Sequence, residues 1–97
     1  MQNNDPVRYH AFIEGRVQGV GFRMFVKENA DLLNLKGWVR NTWQEEVEVL
    51  VEGSQAAIQQ LIQKLQHGPS QSLVTNIRQT WEASTGEFSR FSVRKTE

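Results

Sequence analysis

Apolar and polar residues alternate from Val7 to Glu14. Val7, Tyr9, Ala11 and Ile13 fall on one side of an extended chain, and Arg8, His10, Phe12 and Glu14 on the other, which predicts a strand with one buried face. The alternation stops at Gly15-Arg-Val-Gln-Gly-Val-Gly21, where the glycines permit positive φ angles and predict a loop. Beyond it Phe22, Phe25, Val26, Ala30 and Leu33 recur at helical spacing, predicting a helix over Phe22 to Asn34 with Gly37 just past its end. Gly37 to Trp43 and Glu46 to Glu52 read as two strands close enough to pair as a hairpin, the second with Val47, Val49 and Val51 on one face, and their connection lacks glycine. Ser54 is placed to cap a second helix with the stripe Ala57, Ile58, Leu61, Ile62 and Leu65, which Gly68-Pro69 ends. Leu73 to Trp81 and Phe88 to Arg94 read as closing strands, the last with Phe91 and Val93 inward. Met1 to Pro6 is polar and reads as a loose N-terminal tail.

The predicted order is βαββαβ with an extra short C-terminal strand. Right-handed crossovers interleave the two βαβ units and bring both helices to one face of a mixed, mostly antiparallel sheet. The fold expected is therefore α+β, a ferredoxin-like sandwich. A chain of 97 residues buries roughly 60–70% of its extended surface, enough for one core, so a single domain spanning 1–97 is expected.

Charge and composition narrow the chemistry. Eleven Lys+Arg balance eleven Asp+Glu, so the basic excess of a dedicated nucleic-acid binder is missing. The absence of cysteine removes a disulfide framework, Cys-ligated metal sites and thiolate nucleophiles. No apolar run approaches the ~18 residues that span a bilayer, and Met1 to His10 holds no signal-peptide core. A cytoplasmic protein without membrane or nucleic-acid partners is the expectation, and a monomer the default.

Candidate chemistry concentrates where the first strand meets the first helix. Successive N–H groups in a glycine-rich turn converge on a point that the helix N-terminus also makes positive, which favours an anion such as phosphate. Arg23, in the first helical turn, adds a guanidinium able to grip two phosphate oxygens. The same pattern also occurs structurally without a ligand, and the Gly-Lys-Ser/Thr of a Walker loop is absent. Asn41 ends a strand, where its amide offers a donor and an acceptor or simply forms a turn. His10 and His67 have no evident Asp or Ser partner in sequence and read as structural. Glu45, Glu46, Glu48 and Glu52 read as solvated charges that protect edges, and Trp38, Trp43 and Trp81 as cross-strand packing.

Together, Gly15-Arg-Val-Gln-Gly-Val-Gly-Phe-Arg23 and Gly37-Trp-Val-Arg-Asn41 resemble the signature of the acylphosphatase family. The likeness continues through Val47-Glu-Val, Glu52-Gly53, Gly68-Pro69 and Phe88-x-x-Phe91-x-Val93, covering Val7 to Arg94. It implies that the loop cradles phosphate, with contacts on Gly15, Val17, Gln18, Gly19, Val20, Gly21, Phe22 and Arg23. It further implies that Arg23 binds the phosphoryl group and Asn41 positions an attacking water, with no cofactor or metal. The partners implied are small acyl phosphates, such as 1,3-bisphosphoglycerate, carbamoyl phosphate and acetyl phosphate, and inorganic phosphate, with broad acyl tolerance. One departure lies in the hairpin, where Thr42-Trp-Gln-Glu-Glu46 stands in place of the Asp-Gly turn that family members often carry.

The residues available agree with that chemistry. Lacking Cys and a paired His, the chain suits direct attack of water on phosphorus rather than a covalent phosphoenzyme. Without a general acid the leaving group must depart as an anion, which a carboxylate of pKa about 4 does far more readily than an alkoxide. A carboxyl-phosphate anhydride fits. Two other classes stay open at the level of sequence: a non-catalytic anion-binding regulatory module, which would not need Arg23 and Asn41 together, and a single-stranded RNA binder using sheet-face aromatics.

Overall fold

The computed structural model describes residues 5–97. Of the expected N-terminal tail, positions 1–4 lie outside the described residues, and Asp5 and Pro6 carry no regular structure. Seven elements follow: β1 (Val7–Arg16), α1 (Phe22–Leu32), β2 (Lys36–Asn41), β3 (Val47–Gly53), α2 (Gln55–His67), β4 (Leu73–Ala83) and β5 (Phe91–Val93). The strands form one sheet in the order β4-β1-β3-β2-β5, antiparallel throughout except for β5, which runs parallel to β2. This is the ferredoxin-like sandwich with an extra terminal strand that the element order predicts.

The register explains which side chains meet. Tyr9, Ala11 and Ile13 of β1 lie opposite Val51, Val49 and Val47 of β3, and all six are fully buried beneath Val26 and Ala30 of α1 and Ile58, Leu61 and Leu65 of α2. Along β2, Val39 pairs with Val49 and Asn41 with Val47. Since side chains alternate along a strand, Asn41 shares the helix-covered face with Val39, and so faces the start of α1.

Several boundaries depart from expectation for identifiable reasons. Gly15 and Arg16 extend β1 past a register shift at Glu14/Gly15, pairing with Val74 and Leu73. α1 ends at Leu32 because Asn34, at φ 57, takes the left-handed position. Asn34 N–H reaches Asp31 O at 3.1 Å and Leu35 N–H reaches Ala30 O at 2.9 Å, the paired bonds of a Schellman cap. Gly37 plays no part in that cap. It sits within β2 at φ 136, where a Cβ would come within 1.9 Å of Leu50 O. The last strand shrinks to Phe91–Val93, and Val93 is 40% exposed where an inward position was expected. Ser54 caps α2 as predicted, its Oγ accepting from Ala57 N–H at 3.2 Å.

The glycine-free hairpin closes by a three-residue loop. Thr42 N–H donates to Glu46 O at 2.9 Å and Glu45 N–H to Thr42 O at 3.1 Å, while Glu45 takes φ 67, the place a glycine usually holds in such loops. Thr42 is buried, and its Oγ1 accepts from Glu46 N–H at 3.2 Å.

The face of the sheet without helices corrects two expectations about polar residues. Glu48 and Glu52 are buried, at 5% and 4% exposure, because the arginines beside them on neighbouring strands satisfy them. Glu48 bridges His10 Nε2 at 2.6 Å and Arg40 Nε at 2.8 Å, so His10 does have a carboxylate partner, one strand away and invisible in linear sequence. Glu52 accepts from Arg8 Nε at 2.8 Å, Ser84 Oγ at 2.8 Å, Thr85 N–H at 2.9 Å and Gly86 N–H at 3.0 Å.

Candidate active site

The site is assembled where β1 hands the chain to α1. Val17 is buried and ties the loop to the core, and Phe22, equally buried, packs edge-on against Phe25 at 5.9 Å and fixes the start of the helix. Between these anchors Gly19 has φ 73 and Gly21 φ 79. A Cβ on either would meet nothing within 4 Å, so their conformation, not crowding by the protein, calls for glycine. Gly21 is the N-cap of α1 and offers no side-chain cap.

That arrangement leaves donors unused. Among the described residues, no backbone carbonyl accepts from the N–H groups of residues 18–24, and no side chain supplies a substitute. A helix N-terminus in this state carries partial positive charge and free donors, the two requirements for binding an anion. Arg23 stands in the same turn and has no carboxylate partner among the described residues, whereas Arg8, Arg40 and Arg78 are all ion-paired. A recess of about 250 Å³ opens in front of these groups, lined by Val17, Gly19, Gly21, Phe22, Arg23, Met24, Asn41 and Val93.

Of the residues singled out from sequence, Val17, Gly19, Gly21, Phe22, Arg23 and Asn41 line this recess. Gly15 does not. Its Cβ would fall 2.0 Å from Leu73 O, so it is glycine because β4 runs against it. Val20 is half-buried against the core. Gln18 turns its side chain to the β2–β3 hairpin, where Nε2 donates to both Thr42 O and Glu46 O at 2.9 Å. This amide staples the loop to the segment immediately after Asn41. Linear sequence gives no sign of it, because Gln18 and Thr42 become neighbours only when β1 and β2 flank β3. Met24 and Val93 line it as well; Met24 carries no signal in the sequence pattern, and Val93 reads there as an inward strand position.

Cavity size alone would point elsewhere. A groove of about 420 Å³ between α2 and β4 is lined by Gln66, Val74, Thr75, Asn76, Ile77 and Gln79, none of them ionisable, and another of about 430 Å³ by Val7, Gln55, Trp81, Glu82 and Ala83, which offer one carboxylate and no cation. Among the described residues no group of three His, Asp or Glu is arranged to hold a metal ion, and no helix is long and apolar enough to cross a membrane.

Comparison with known proteins gives a consistent result. The acylphosphatase family model matches residues 9–93. An acylphosphatase of Chloroflexus aurantiacus is 44% identical over 89 residues, covering 92% of this chain and 97% of that protein. The crystal structure of acylphosphatase from Bacillus subtilis superposes with a TM-score of 0.88 at 41% identity, covering 91% of this chain and 98% of that one. The structure of an acylphosphatase from Coxiella burnetii gives 0.86 at 36% identity, covering 93% and 94%. With a family match over nearly its whole length and the fold in common, this chain belongs to the acylphosphatase family.

Proposed function

We propose that the chain hydrolyses acyl phosphates by direct attack of water, the loop and Arg23 holding the phosphoryl group and Asn41 orienting the water. The observation that carries this reading is the run of unused N–H donors at residues 18–24 beside the unpaired Arg23. These groups surround a small recess with donors and one cation, the complement of a phosphoryl group. Asn41 lines the same recess from the strand end, and its amide is suited to hold a water in line with the bond to be broken.

In the reaction the water oxygen forms the new P–O bond while the bridging P–O bond breaks, its electron pair leaving with the carboxylate. A dianionic acyl phosphate and water give a carboxylate and dihydrogen phosphate, both water protons ending on phosphate. The transition state is loose and spreads charge over the equatorial oxygens, so fixed N–H dipoles and a guanidinium supply the stabilisation. No step requires a general acid, because the leaving carboxylate is a stable anion. Among the described residues, neither a histidine nor a carboxylate lines the recess, and the proposed route calls on no metal ion.

Phosphate release from benzoyl phosphate in excess EDTA tests the proposal. Turnover is expected to persist after chelation, with inorganic phosphate inhibiting competitively. Activity that vanishes in EDTA and returns with Mg²⁺ would overturn the mechanism, and binding of phosphate without any turnover would identify an anion-binding module instead.

A further inference from the structure

The recess is lined by two chemically different sets of groups. One comprises the unused N–H groups of the loop, Arg23 and Asn41. The other comprises two exposed apolar side chains, Met24, 55% exposed in the first turn of α1, and Val93, 40% exposed at the end of β5. Single exposed apolar side chains are ordinary on a protein surface. These two line one recess from different elements, beside the groups that suit a phosphoryl anion. The recess, about 250 Å³, is smaller than the roughly 300–1,000 Å³ of pockets that enclose a drug-sized ligand, so Met24 and Val93 lie within reach of an acyl group joined to a phosphoryl group held by the loop and Arg23. Among the described lining residues Arg23 is the sole charged one, so nothing in the lining pairs with a second anionic group.

We propose that Met24 and Val93 form an acyl shelf that makes this site select acyl phosphates with apolar, particularly aromatic, acyl groups over small or charged ones. The inference rests on the hydrolase reading above and goes beyond it in naming the substrate class. The two halves of the shelf differ in kind. Val93 is held in place, since β5 pairs with β2 and Arg94 N–H donates to Val39 O at 2.8 Å. Met24 is flexible, and its thioether makes favourable contacts with aromatic edges. Because the acyl end changes little while the bond to phosphorus breaks, the shelf holds ground state and transition state alike and acts on KM more than on kcat.

Steady-state kinetics with benzoyl phosphate and acetyl phosphate test the shelf, since both release carboxylates of acids of pKa about 4 to 5 and differ chiefly in acyl surface. Wild type is expected to favour benzoyl phosphate by roughly tenfold or more in kcat/KM. Met24→Ala combined with Val93→Ser should reduce that preference to within about twofold, mainly by raising KM for benzoyl phosphate, with Met24→Ala alone intermediate. Met24→Leu should keep it, as should Leu32→Ala, an exposed apolar control at the other end of α1. Equal use of both substrates by wild type, or a preference that survives in the double variant, overturns the shelf and leaves the hydrolase reading standing. Hydrolysis of neither substrate by wild type overturns both.

Discussion

Gly19 and Gly21 hold positive φ in open space, and that combination separates conformation from crowding as the reason for a glycine. Gly15 and Gly37 combine both reasons, positive φ and a Cβ that would land about 2 Å from a backbone oxygen. Of the side chains at the recess, the roles proposed for Arg23 and Asn41 are separable by experiment. Arg23→Lys keeps a charge but loses the paired donors, and kcat/KM is expected to fall at least tenfold, about 1.4 kcal/mol, with the fold intact. Asn41→Ala should lower kcat by about 100-fold with KM and the inhibition constant for phosphate near wild type, because the loop and Arg23 still hold the anion. If Asn41→Ala raises KM and spares kcat, the water is positioned by another group.

At the scale of elements, the geometry of Asn41 depends on how the β2–β3 hairpin is held to the loop. Register puts Asn41 on the helix-covered face, and the Gln18 amide fixes the hairpin by its two bonds to Thr42 O and Glu46 O. Both carbonyls keep a second, backbone partner, Glu45 N–H and Thr42 N–H respectively. Loss of the amide therefore costs little beyond its own bonds, about 1–2 kcal/mol. Gln18→Leu is expected to lower Tm by some 4–8 °C per kcal/mol lost in a domain of this size. It should also lower kcat roughly tenfold, and that second effect should disappear in an Asn41→Ala background. A purely structural role would leave the kcat penalty the same in both backgrounds. The hairpin itself forms without the usual glycine because Glu45 tolerates φ 67, at a cost of roughly 1–2 kcal/mol opposed by the Thr42 hydroxyl bond to Glu46 N–H.

Across the whole molecule, the helix-free face binds distant segments through buried carboxylates. Burial alone would raise the Glu52 carboxyl, but the Thr85 N–H, the Ser84 hydroxyl, Arg8 and the Gly86 N–H outweigh it and hold it down at about 2, against an ordinary 4.5. The consequence for pH has a definite sign. Between these values the unfolded chain binds a proton that the folded chain does not, so the contribution of Glu52 is full above pH 4.5 and is lost as pH falls toward 2. Glu52→Gln should be less stable than wild type by about 2 kcal/mol at neutral pH. The two unfolding curves should converge as pH approaches 2, as followed by urea denaturation at several pH values. A difference that does not depend on pH would mean that Glu52 acts through shape alone.

Much of this protein was legible in its linear pattern, and the reason is local. Periods of two and of 3.6 placed β1, β3 and both helices, Ser54 marked a cap, and the loop and Asn41 motifs named the acylphosphatase family. Local signals faltered at ends: Asn34 rather than Gly37 stops α1, because tertiary approach to Leu50 had already claimed Gly37. They also faltered wherever strand order decides a neighbour. His10 finds Glu48, Glu52 gathers Arg8 and the chain from Ser84 to Gly86, Gln18 reaches Thr42, and Val93 and Met24 come to line one recess. None of these pairs has a signature in sequence, since side-chain polarity alone does not say which strand will lie alongside. The amino-acid order by itself determined which segments form and which family motifs the chain carries; the sheet order β4-β1-β3-β2-β5 decided which carboxylates are buried, what holds the hairpin beside Asn41 and what lines the recess, because those depend on contacts that exist only once the strands are paired.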